Sequence, residues 1–382
     1  MINIVACLVF ILAGCNRKYY VDKSTIGSLY EEALKNKSEI TADEGYDDER
    51  SRYDADYASA GANYIYFSDN DVSYIVDIKN NTYRNMCNIA GCSHTGNSCI
   101  DSMVKISIRY HKNGLYFLNG SSLYCRTNSG EINKVFTNDF STEWSNEISP
   151  ENPEILKGMI FIDEDTLLMS GINFFIKYDL TTGERTGELV IQDGYVMDFC
   201  YSDGIVFSSH YNGNLVRSVW DTGESETVAK LGTNVRLIND RIWYAKFSPV
   251  GSKICSNNLS GTDEKVEIEN TEVMFDVFED AVIYTDSYEI YYLYNQDGEP
   301  RELFNVEDLT YSYDKLPAEY QYKNDETEFK PNWIRFLDFK HEEVYIVAEY
   351  WIDCDGISKV FCTFYKVDKD GNITELRNEN EI

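Results

Sequence analysis

Cys87, Cys92, His94 and Cys99 fall in one short stretch with the spacing C-x4-C-x-H-x4-C. Three thiolates and one imidazole are a donor set for a tetrahedral structural zinc, and such a site contributes roughly 10–16 kcal/mol of apparent folding free energy. In an oxidising compartment the same cysteines close a disulfide with one thiol left over, worth about 2–4 kcal/mol across this glycine-bearing loop. The spacing leaves both readings open. It does not support a catalytic zinc, which needs an open coordination position and a nearby general base.

Other chemistry is sparse. The chain has no P-loop, no GxGxxG on a strand–helix unit and no HExxH. His111, His210 and His341 lie far apart beside strand starts, away from any Gly-x-Ser-x-Gly elbow, and are expected to be structural. Asp368-Lys369-Asp370-Gly371-Asn372 looks like a calcium loop, but its glycine is fourth where an EF-hand needs it sixth; it reads as a hairpin turn, as does Asp297-Gly298. Asp and Glu number 65 against 34 Lys and Arg, a net charge of −31. That field repels phosphate backbones and excludes nucleic acid as a partner. With so many carboxylates, no motif selects a pair for acid/base work.

These groups need elements to hold them. The chain has 382 residues, 43% of them hydrophobic, with Tyr 30 and Phe 19 against Pro 6, a balance that favours sheet. From residue 61 to 382 a unit recurs: turn, strand, turn, strand, Asp/Gly turn, strand. Its leading runs are Tyr64–Phe67, Leu115–Phe117, Thr166–Met169, Ile205–Phe207, Ile242–Tyr244, Val282–Tyr284 and Val344–Ile346. Repeats of about 40 residues built from short strands predict an all-β propeller, here with seven four-stranded blades. The long gaps after Phe67 and Tyr284 are expected to hold insertions. Trp333 and Trp351, which follow or enter the last of these, are the best ligand-binding candidates; most other aromatics are expected to pack between blades. Cys125, Cys200, Cys255, Cys354 and Cys362 fall on strands as small buried hydrophobes.

The amino-terminal sixty residues differ. Met1–Gly14 is uncharged, too short to span a bilayer and of signal-peptide length, although Met1–Val5 lacks the usual opening Lys or Arg. It ends in Leu12-Ala13-Gly14-Cys15, a lipobox, which makes Cys15 the expected acylated residue. Residues 15–60 read as a spacer, with a short helix over Ser28–Lys37 and an acidic run from Asp43 to Asp56.

Lipobox, propeller repeat and the Cys87–Cys99 knot together resemble a group of uncharacterised Gram-positive surface lipoproteins with propeller ectodomains. The resemblance implies a lipid-anchored, extracytoplasmic location with the membrane as partner. It implies architecture and not chemistry. The function expected is a binding or scaffold module for a protein, glycan or cation. A propeller hydrolase or lyase using paired carboxylates is the alternative, and a structural or accessory envelope role is a third.

Overall fold

Short aromatic strands joined by tight turns form sheets that cannot cover their own faces. Stacking such sheets side by side around an axis covers both faces of each one. The computed structural model describes residues 58–87 and 107–379, apart from 61–62, 70–71, 113, 130, 193, 248–250, 272–273, 279–280, 288, 296–298, 318–319, 322–326, 341 and 355–356. These residues form seven antiparallel four-stranded blades. The first contains β1 (Ala58–Ala60), β2 (Tyr64–Asp69), β3 (Val72–Asp77) and β4 (Thr82–Asn85). The others are β5–β8 (107–137), β9–β12 (158–190), β13–β16 (196–230), β17–β20 (232–271), β21–β24 (275–305) and β27–β30 (333–375). A small hairpin, β25–β26 (311–329), precedes the seventh blade, and β31 (Arg377–Asn378) closes the chain.

The first strand of each blade is the innermost. β1 packs on β5, β5 on β9, β13 on β17, β17 on β21, and β1 on β27. Fourth strands form the exposed rim, as the many exposed positions of β12 and β16 show. Seven hydrophobic clusters fill the seven seams between neighbouring blades. The cluster of Ile65, Phe67, Val76 and Tyr83 with Leu337, Tyr345, Val347 and Phe364 joins the seventh blade to the first. At that seam β31 also pairs in parallel with the rim strand β4, and Thr82 Oγ1 donates to Glu379 Oε1 at 2.6 Å. The ring is therefore closed by packing and by a strand.

Turn chemistry sets the strand register. Asn239 and Asp240 both adopt positive φ (50° and 57°) between β17 and β18, as a two-residue hairpin loop requires. Gly114 begins β6 where a Cβ would lie 2.3 Å from the Arg126 carbonyl oxygen, so only glycine permits that approach.

In a four-stranded meander the fourth strand ends on the side where the first begins. Connectors between blades therefore lie on one face with the turns between second and third strands. Backbone hydrogen bonds show this: Leu156 to Gly120, Val196 to Ile172 and Gly232 to Gly213. We call this the upper face. It receives the long connectors 138–157, with its helix α1 (Glu143–Ile148), and 306–332.

Candidate ligand-binding face

The seventh blade departs from its siblings. β28 (Glu343–Cys354) and β29 (Ile357–Val367) have 12 and 11 residues, where the matching strands of the first blade have 6. At about 3.3 Å per residue the extra length projects roughly 20 Å beyond the upper face. One side of this hairpin is covered by the connector 306–332, through Leu309, Leu316 and Phe329. Tyr350 Oη donates to the Leu309 carbonyl and lies 3.0 Å from Tyr365 Oη, and Tyr320 Oη donates to the Val360 carbonyl at 3.2 Å. Burial pushes both the Tyr350 and Tyr365 phenols above their ordinary range.

The opposite side carries the candidate site. Trp333 on β27 (Trp333–Lys340) pairs with Glu349 on β28, and Arg335 with Val347. Paired residues share a sheet face, as do residues two apart, so Trp333, Arg335, Glu349 and Trp351 line one side. Trp333 is 45% and Trp351 54% exposed. Glu349 is buried and accepts a charge-assisted bond from Arg335 Nε. The backbone N–H of Trp351 donates to Asn332 Oδ1 at 2.8 Å, tying the strand to the end of the connector. Both tryptophans sit on strands, not in the insertion loop from which the sequence reading picked them. They are exposed because the hairpin overshoots its neighbours.

A second constellation lines the inside of the ring. The third residue of each second strand faces one residue of the innermost strand: Ser59, Arg109, Ile160, Cys200, Arg236, Asp276 and Asp338 in blade order. Five consecutive blades, from the fifth round to the second, thus carry Arg236, Asp276, Asp338, Ser59 and Arg109 at one level. Arg236 Nη1 lies 2.8 Å from Asp198 Oδ2 and its Nε 3.2 Å from Asp276 Oδ1, so one guanidinium joins three blades. Arg109 Nη1 donates to the Ile108 carbonyl at 2.7 Å and the Ala58 carbonyl at 3.3 Å. Register shifts between Val196 and Asp198, Thr233 and Arg236, and Phe336 and Asp338 re-aim the inner strands just before these charges. Asp276 and Asp338 stand on the inner strands of adjacent blades, each 3% exposed. Asp276 already accepts from Arg236 and from the Val277 N–H at 2.8 Å. The geometry is a buried clamp between blades, not the open carboxylate pair that glycoside hydrolysis needs.

Of the other candidates, Cys87 is buried just beyond β4. Cys15, Cys92, His94, Cys99, His341, the 28–37 helix and the 43–56 acidic run lie outside the described residues. Among the described residues no group of three or more His, Cys, Asp or Glu side chains is placed to hold a metal ion. His111 Nε2 lies 2.9 Å from the Glu164 carbonyl, its ring stacked on Phe161 at 4.0 Å, and His210 Nε2 lies 2.8 Å from Ser208 Oγ. Both have structural partners. Cys125 and Cys255 are buried opposite Tyr116 and Tyr244, and burial pushes each thiol up to about 11. Asp368 Oδ1 accepts the backbone N–H groups of Asp370 and Asn372, each at 2.9 Å, closing the expected hairpin turn.

No family model matches the chain, and no curated protein matches it. Solved structures resemble it distantly. The computationally designed Ika8 protein shares 9% identity at a TM-score of 0.47, over 90% of this chain and 100% of that one. An acylaminoacyl peptidase in complex with Z-Gly-Gly-Phe-chloromethyl ketone shares 11% at 0.49, over 88% of this chain and 54% of its own. BamB from Moraxella catarrhalis shares 11% at 0.39, over 78% and 80%. The protein is a seven-bladed β-propeller on the strength of its own strand pairing and seven seams.

Proposed function

We propose that the protein is a membrane-tethered, extracytoplasmic binding module that engages its ligand through the Trp333–Trp351 face. The observation that carries this is the pair of half-exposed tryptophans held on one side of a hairpin whose other side is packed. Soluble folds rarely leave two large aromatics together on a rigid sheet without a partner for them. The lipobox at Cys15 supports the tether, and two or three acyl chains at about 0.8 kcal/mol per buried methylene hold a domain firmly. The Cys87–Cys99 knot, in the segment joining β4 to β5, is read as a brace, by disulfide or structural zinc.

The test is photo-crosslinking on intact cells. Benzoylphenylalanine placed at Trp351 should yield a discrete adduct. The same group at Val266, 47% exposed on the rim strand β20, should not. No adduct from position 351, or equal adducts from both positions, contradicts the proposal.

A further inference from the structure

We infer that the ligand of the Trp333–Trp351 face is a neutral polysaccharide chain, an inference that rests on the binding-face reading above and adds the ligand's class. Size decides first. Trp333 and Trp351 share one face of one sheet, whereas the other large apolar side chains exposed among the described residues lie on other blades or connectors. A tryptophan side chain offers at most about 250 Å², so exposures of 45% and 54% leave about 250 Å² of aromatic surface in all. A protein interface of ordinary size takes about 800 Å² from each side, polar rim included, and the two rings alone would be only its anchor. By themselves they suit one or two pyranose rings, each close to an indole in area.

Charge decides second. A net charge of −31 repels polyanionic chains. On the face itself Glu349 is buried and neutralised by Arg335, and Asp353, two residues beyond Trp351, is the exposed carboxylate beside the rings. Two indole faces with one carboxylate at their edge suit an uncharged ligand with apolar faces and polar edges.

Shape decides third. The rings come from adjacent strands at diagonal positions, about 7–8 Å apart at the backbone, and form an elongated platform on a flat support. A sugar chain offers C–H faces to such a platform and hydroxyls around its edges. On the same face the exposed Asp353 has carboxylate oxygens that accept from a hydroxyl, and the part-exposed Arg335 has N–H groups that donate to one.

Affinity electrophoresis of the detergent-solubilised full chain tests the inference. The gels contain hydroxyethylcellulose, mixed-linkage β-glucan, galactomannan or dextran, with polygalacturonate as the anionic comparison. At least one neutral polymer should retard the protein. The retardation constant should weaken about tenfold or more in Trp333→Ala and in Trp351→Ala, and stay unchanged in Val266→Ala. Because both tryptophans are exposed, these variants should melt with the parent, which separates lost binding from lost fold. Absence of retardation by all four neutral polymers, retardation indifferent to both tryptophans, or retardation by polygalacturonate overturns it. If the crosslink from position 351 still forms in that event, only the ligand class falls and the binding face stands.

Discussion

Arg236→Ala should lower the unfolding free energy by about 3–5 kcal/mol, the cost of leaving a buried charge uncompensated. Arg236 is 6% exposed and lies between Asp198 and Asp276, themselves 7% and 3% exposed. Its removal strands two carboxylates on the inner strands of the fourth and sixth blades, where water cannot reach them easily. Urea unfolding at neutral pH should show a lower midpoint with an unchanged slope, and the melting temperature should fall on the order of 5–10 °C. The origin of the loss can be separated from its size. If it comes from stranded charge, the triple variant Asp198→Asn/Arg236→Met/Asp276→Asn should recover most of it, since a buried ion pair is commonly replaceable by neutral groups of similar volume. If the triple variant is as unstable as Arg236→Ala, the guanidinium acts through packing and the clamp reading is wrong.

Phe364→Ala should cost about 3–5 kcal/mol, and the loss should be felt first where the ring closes. Phe364 is fully buried, with its ring 5.6 Å from Phe67, 5.1 Å from Tyr74 and 4.7 Å from Tyr83. These contacts join the last blade to the first, the seam that chain connectivity does not hold. Amide exchange in low denaturant should therefore rise in the first and seventh blades before the fourth, by opening of one seam ahead of global unfolding. Uniform acceleration across all seven blades would mean that the ring opens only as a whole.

Much of this ring is visible in the amino-acid sequence, and what is hidden has a physical reason. The seven leading runs match β2, β6, β10, β14, β18, β22 and β28, which are the second strands of the blades. Those strands show because they are continuous apolar-aromatic runs bounded by Gly, Asn and Asp turns. The innermost strands escape notice. They are short, packed on both faces and interrupted by charge, as in Ser-Ile-Arg-Tyr-His (107–111) and Phe-Asp-Val (275–277), so they show neither alternation nor an apolar run. A signal was nonetheless present. Ser59, Arg109, Arg236, Asp276 and Asp338 each stand six residues before Ile65, Leu115, Ile242, Val282 and Val344, a constant offset that places one polar side chain at the axis in five of the seven blades. The first blade begins at Ala58, inside the segment read from sequence as spacer, because Ala-Ser-Ala carries no strand signature of its own. At the proposed binding face the tryptophans were legible as candidates. Glu349 and Arg335 were not, since only the β27–β28 register brings them beside the rings.

Acylation at Cys15 separates a surface-tethered ring from a freely diffusing one, and the mass of the mature amino terminus reads it directly. Protein extracted from washed membranes should yield an amino-terminal peptide beginning at Cys15 and carrying a diacylglyceryl group, and Cys15→Ala should move the protein out of the membrane fraction. A mature chain that retains residues 1–14 and partitions unmodified into the soluble fraction would contradict the tether.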